Sequence, residues 1–200
     1  MSVNTLVRKI REKNNPTVAG LDARLEYIPA YITEKYTAQY GKTLKAAAAS
    51  MMEFNKGLID ALHDIVPAIK PQAAYYELLG PDGAVVLRDT IAYAHEKGMY
   101  VIADIKRNDI GATAACYANA YIGKTDMPDG AQKAFGADIA TINPYLGVDG
   151  IKPFAELAGE YGRGLYVLVK TSNPGSGELQ NVSAGADDTV YGLMAELIEK

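Results

Sequence analysis

The sequence predicts an α/β fold of the (β/α)8, or TIM, barrel kind, of which these 200 residues hold about the first five strands. Three observations carry that expectation. Short apolar runs alternate with segments of helical spacing, as in a parallel sheet covered by helices. The runs are nearly continuous in apolar residues, as strands buried on both faces require. Each run ends in a charged or polar residue, so polar groups gather at the carboxyl edge of the sheet, where parallel α/β folds keep their sites.

Thr5 to Lys13 has amphipathic helical spacing and is stopped by Asn14, Asn15 and Pro16. Thr17 to Asp22 is the first apolar run with a charge at its end. Tyr31 to Asp64 is mostly helical, with Leu44, Met51, Phe54, Leu58 and Leu62 in register. The second run, Ile65 to Gln72, carries Lys70 at its tip. Val85 to Glu96 is helical, with Gly98 at the usual stop position. The third run, Tyr100 to Ile105, leads into a helix from Ala112 to Tyr121. Ala137 to Asn143 and Gly164 to Lys170 are the fourth and fifth runs, and Thr189 to Glu199 is helical again.

Polar tips converging on one point favour a closed barrel, and no Gly-x-Gly-x-x-Gly follows the first strand to suggest a dinucleotide-binding open sheet. A complete barrel takes roughly 250 residues. The expectation is therefore one barrel domain over residues 1–200 that lacks its last three strand–helix units.

Charged residues make up 22% and the net charge is −4, which argues against nucleic acid or an anionic membrane as partner. Any basic site must be a local pocket. Cys116 is the single cysteine, so no intrachain disulfide can form and a reducing cytoplasm is the expected location. The first fifteen residues lack the apolar core of a signal peptide, and no run is long enough to span a membrane.

The richest stretch is Val101 to Ala120, where the third run ends in Asp104, Lys106, Arg107 and Asp109 just before a helix. Residues i and i+2 of a strand point to the same side, so Asp104 and Lys106 face one pocket, with Asp109 in the loop beyond. A solvated loop with incidental ion pairs is the plain alternative. Lys70 and Asp22 on neighbouring tips weigh against it, because alternating carboxylates and ammoniums perturb one another as functional sites do. His63 and His95 read as ordinary helix residues, Cys116 as packing, and Lys42 and Lys45 as a solvated face. Arg24 is either a tip ligand or a surface ion pair. No His, Cys and Asp grouping has metal-ligand spacing, so a zinc site is not expected.

Several motifs together carry a family resemblance. Asp104-Ile-Lys106-Arg-Asn-Asp109-Ile110-Gly111-x-Thr113 resembles the signature of orotidine 5′-phosphate decarboxylase, in its longer bacterial subfamily. Gly20-Leu-Asp22-x-Arg24, Lys70-Pro71-Gln72 with Tyr76-Glu77, Asn143-Pro-Tyr-Leu-Gly147, and Val169-Lys-Thr-Ser172-Asn173-Pro174-Gly175-Ser176 are similar in order and spacing. The resemblance implies a TIM barrel that forms a homodimer with shared active sites. It implies a cofactor-free carboxy-lyase that converts orotidine 5′-monophosphate to UMP and carbon dioxide in de novo pyrimidine biosynthesis. Carried over by position, Lys70, Asp104, Lys106 and Asp109 are the catalytic array. Asp22 would bind ribose, Ser172 the pyrimidine, and Asp109, Ile110 and Thr113 would enter the partner's site. The family's phosphate-gripping residues have no match in these 200 residues.

Two other readings remain at this level. A magnesium-dependent sugar-phosphate lyase uses the same D-x-K-x-x-D frame, and a partial barrel could serve as a non-catalytic scaffold. Thr171 to Gly175 and Asp109 to Gly111 resemble the nucleotide-decarboxylating subfamily and argue against the first.

Overall fold

The computed structural model describes residues 2–185 and 188–199. Five strands form one parallel sheet in the order β1-β2-β3-β4-β5, which is the order along the chain. They are β1 (Val18–Leu21), β2 (Ala68–Pro71), β3 (Tyr100–Arg107), β4 (Ile139–Ile142) and β5 (Gly164–Val167). Helices α1 (Ser2–Lys13), α2 (Ala30–Tyr40), α3 (Leu44–Leu62), α4 (Ala73–Glu77), α5 (Gly80–Glu96), α6 (Gly111–Tyr121), α7 (Val148–Glu160), α8 (Gly177–Gln180) and α9 (Val190–Glu199) complete the chain. Sequential parallel strands joined by helical crossovers are the arrangement of successive (β/α)8-barrel units.

Strand parity sorts the side chains. Leu21, Ile69, Val101, Ala103 and Ala140 turn toward the helices and are buried with Met51, Ile59, Tyr76 and Ile91. Ala68, Tyr100, Ile102 and Ile139 turn to the other face, where Leu6 of α1 packs on them. That second face is the one that carries the polar tips, because Lys70, Asp104 and Thr141 each lie two residues beyond Ala68, Ile102 and Ile139. The amphipathic first helix thus closes the amino-terminal end of the face and leaves its carboxyl end to polar groups.

All five apolar runs are strands. Several elements differ from the sequence expectation, among them the break at Gly41 to Thr43 that divides Tyr31 to Asp64 into α2 and α3. α5 starts at Gly80, five residues before Val85, because Pro81 sits in the first turn, where its missing N–H costs nothing. The segment between Asn143 and Gly164 contains α7, whose internal Pro153 hid a helix anchored by the buried Phe154. Ala73 to Glu77 forms the short α4, started by the Gln72 side chain accepting from Ala74 N at 3.3 Å. Cys116, expected to pack, is exposed on α6. Among the described residues no helix is long and apolar enough to cross a membrane.

Candidate active site

β2 and β3 run side by side, with Ala68 opposite Tyr100 and Ile69 opposite Val101, so Lys70 and Asp104 emerge at neighbouring tips. Lys70 Nζ donates to Asp104 Oδ2 at 2.8 Å and Gln72 Nε2 donates to the same oxygen at 3.0 Å. Lys106 Nζ donates to Asp104 Oδ1 at 2.5 Å, and Thr141 Oγ1 donates to that oxygen at 2.9 Å. One carboxylate therefore bridges two ammoniums and two neutral donors. Its side chain is 8% exposed, whereas those of Lys70 and Lys106 are 34% and 44% exposed. The anion is sheltered and the two cations reach toward solvent.

Burial works against ionisation of Asp104, but the donors from Lys106, Lys70 and Thr141 outweigh it and hold the carboxyl below its ordinary value. The group is ionised at neutral pH. The site thus keeps a fixed negative charge beside an ammonium that solvent or a ligand can reach, an arrangement suited to electrostatic and proton-transfer chemistry.

Asp104 and Lys106 converge, as their spacing suggests, but β3 is not a regular strand there. Ala103 pairs with Ala140 and Arg107 with Ile142, so Asp104, Ile105 and Lys106 together face Thr141 alone. This is a β-bulge. Lys106 takes a left-handed backbone with φ +49°, rare for a residue with a Cβ. Pairing resumes beyond it, where Asn143 N donates to Arg107 O at 3.1 Å.

Past the bulge, Arg107 Nη2 is ion-paired with Glu77 and its Nη1 donates to Ile105 O at 3.0 Å. Asp109 stands in the loop, half-buried, its Oδ1 accepting from Ile110 N at 2.8 Å. Ile110 is 58% exposed and Thr113, one turn into α6, is exposed as well. Gly150 of α7 supports this loop from below: a Cβ there would come 2.6 Å from Asn108 Oδ1 and 3.0 Å from Asp109 O. Asp22 is exposed just past β1, and Ser172 is exposed beyond β5. Contacts among the described residues join Lys70, Asp104 and Lys106 and leave Asp22, Asp109 and Ser172 outside that cluster.

Next to the cluster, at the β4 and β5 tips, lies a largely apolar cavity of about 220 Å³ lined by Asn143, Tyr145, Thr171, Gln180, Tyr191 and Met194. Lys170, a tip residue by sequence, donates to Asn181 Oδ1 at 2.6 Å in the adjoining loop. Arg24 takes its surface alternative, 3.6 Å from Glu26. His95 Nε2 lies 2.9 Å from Asp138 Oδ2 at the opposite, amino-terminal end of the strands.

Sequence reasoning left Gln72 and Thr141 out of the candidate site. Gln72 was visible within the Lys70-Pro71-Gln72 motif. Thr141 had a weaker sign, a single hydroxyl inside the otherwise apolar run Ile139 to Ile142, which threonine's ordinary strand propensity explains equally well.

Residues 45–200 match the family described as "Orotidine 5'-phosphate decarboxylase / HUMPS family". The chain is 44% identical over 91% of its length to an orotidine 5′-phosphate decarboxylase of Rhodopirellula baltica, spanning 58% of that protein. It is 37% identical over 96% of its length to that of Caldicellulosiruptor saccharolyticus, spanning 63% of it. Its fold superposes on Leishmania donovani OMP decarboxylase with a TM-score of 0.71 at 30% identity, covering 96% of this chain and 63% of the other. The chain spans about 60% of the length of the curated relatives it matches. With the ordered barrel units, the bridged Lys70–Asp104–Lys106 cluster and these likenesses together, the chain belongs to the orotidine 5′-phosphate decarboxylase / HUMPS family.

Proposed function

We propose that this chain carries the charge array of an orotidine 5′-monophosphate decarboxylase. The observation that carries the reading is the single buried carboxylate of Asp104 held between Lys70 and Lys106. Loss of carbon dioxide breaks the bond from C6 of the pyrimidine to the carboxylate and leaves its electron pair on C6. Lys106, as an ammonium beside that carbon, stabilises the developing charge and then transfers a proton to it. Its amine regains a proton from water. Asp104 faces the departing carboxylate and destabilises the bound substrate relative to the transition state, in which that carboxylate's charge moves onto C6. Lys70 holds Asp104 in place and reaches the ribose.

Asp22 joins Lys70 at the ribose, and Ser172 hydrogen-bonds the pyrimidine. Asp109, Ile110 and Thr113 extend into the site of a second copy, so the working form is a homodimer; the exposure of Ile110 and Thr113 supports this. Residues 1–200 form a single barrel domain that three further strand–helix units complete. Five units of eight is close to the 58% and 63% of its relatives that the chain spans. Phosphate is gripped by those later loops, and its remote binding energy supports the chemistry at C6. The enzyme works in the cytoplasm, without a cofactor, in pyrimidine biosynthesis.

The test is the absorbance change as orotidine 5′-monophosphate becomes UMP, with EDTA present, for the wild type and Lys106→Ala. Metal-independent turnover that disappears in the variant is the expected result. Turnover that EDTA abolishes would replace this reading with the magnesium-dependent lyase. No turnover from this chain or from one extended to the length of its relatives would leave a scaffold.

A further inference from the structure

The β3 bulge needs an explanation, because it gathers backbone donors where no strand partner can take them. Three residues, Asp104, Ile105 and Lys106, face one residue of β4. That residue is Thr141, itself buried. Its Oγ1 accepts from Ile105 N at 2.9 Å and from Lys106 N at 3.0 Å, and donates to Asp104 Oδ1 at 2.9 Å. A hydroxyl has one donor and two acceptor positions, and all three are used. The same oxygen thus ties down both amides of the bulge and one oxygen of the carboxylate that pairs with Lys106.

We propose that Thr141 is a positioning residue for the charge array: its hydroxyl holds the left-handed turn at Lys106 and locks Asp104 against it. Left-handed backbone at a residue with a Cβ persists only where its surroundings over-determine it, and the hydroxyl is the group placed to do so. Remove it, and the peptide at Lys106 is free to return to extended geometry, which turns the ammonium away from Asp104. The Lys106 ammonium would still exist but would no longer be held where the charge develops. Valine has the shape of threonine and makes none of the three bonds. Serine makes all of them.

The inference deepens the decarboxylase reading, and two readouts keep their failures apart. The first, amide hydrogen exchange at Ile105 and Lys106, needs no substrate. On the full chain, Thr141→Val speeds exchange at these two amides by about tenfold or more, because each loses its acceptor, while the Ile69 amide of β2 changes little. Thr141→Ser keeps wild-type rates. The second is steady-state decarboxylation of orotidine 5′-monophosphate, where Thr141→Val lowers kcat about tenfold or more with KM within about threefold, and Thr141→Ser restores kcat. Unchanged exchange at both amides in Thr141→Val overturns the proposal. So does unchanged kcat in an active enzyme whose two amides have opened, since the clamp would then position nothing. Faster exchange in Thr141→Val, with a wild type that does not decarboxylate even when extended to the length of its relatives, sinks the decarboxylase reading and leaves the clamp standing. Should Thr141→Val not fold, Thr141→Cys, with a weak thiol in place of the hydroxyl, is judged by the same results.

Discussion

Lys70 and Lys106 donate to opposite oxygens of the Asp104 carboxylate, at 2.8 and 2.5 Å, so one buried anion keeps two cations together. Neither lysine meets the other's charge uncompensated while Asp104 is ionised. Replacing Asp104 by Asn removes the anion and leaves two ammoniums facing a neutral amide. The expected cost in stability is about 1–2 kcal/mol, kept small because both lysines are partly solvated. Decarboxylation falls by about a thousandfold if the array acts as a unit. Urea denaturation and the absorbance assay measure the two effects separately.

Lys106→Arg keeps a cation next to Asp104 but offers no proton at any working pH, since a guanidinium stays protonated throughout. The fold is expected to be retained, with urea midpoints near wild type. Turnover is expected to fall to the level of Lys106→Ala. An arginine variant with more than about a tenth of wild-type kcat would show that charge alone suffices and that the proton comes from elsewhere.

Gly150→Ala tests how the loop bearing Asp109 is held. The new Cβ would meet the Asn108 side-chain Oδ1 at 2.6 Å, too close to stand, and the backbone Asp109 O at 3.0 Å, a tight contact. The Asn108 side chain must turn away, losing the bond its Oδ1 accepts from Asp109 N, and the backbone at Asp109 must give by a few tenths of an ångström. The expected loss is about 1–3 kcal/mol, or about 2–10 °C in Tm for a chain of this size. If the loop completes a neighbour's site, the variant also weakens dimerisation, which sedimentation velocity reads directly.

Asp138 predicts a pH dependence far from the site. Burial raises its carboxyl, but His95, the backbone N–H of Val101 and Arg163 together overcome it, so the folded value lies below the ordinary one. A depressed carboxyl stabilises the fold above the unfolded value of about 3.9, and that stability is lost as pH falls through the folded value. Asp138→Asn is therefore expected to cost about 2 kcal/mol at pH 7, and the difference from wild type should shrink below about pH 4. Urea titrations at a series of pH values measure it. A constant difference across that range would remove the linkage.

The strands were legible because each is a run that local hydrophobicity can mark by itself. Helix α7 was not, because Pro153 reads as a breaker from sequence, yet in the first turns of a helix packed through Phe154 its cost is met by burial. Cys116 shows the reverse failure: an apolar residue on a helix looks like core until one knows which face the sheet covers.

By itself, then, the sequence determined that a parallel α/β chain would bring Asp22, Lys70, Asp104, Lys106 and Asp109 to one edge. Strand parity and the direction of parallel strands follow from local backbone geometry, and the motifs around these residues carried the family. Only the tertiary structure decided how the charges meet. The bulge at Asp104 to Lys106, the left-handed turn of Lys106 and the bonds of Thr141 depend on register between β3 and β4. Register between strands thirty-six residues apart, as at Ile105 and Thr141, is a property of the assembled sheet, and no local pattern encodes it.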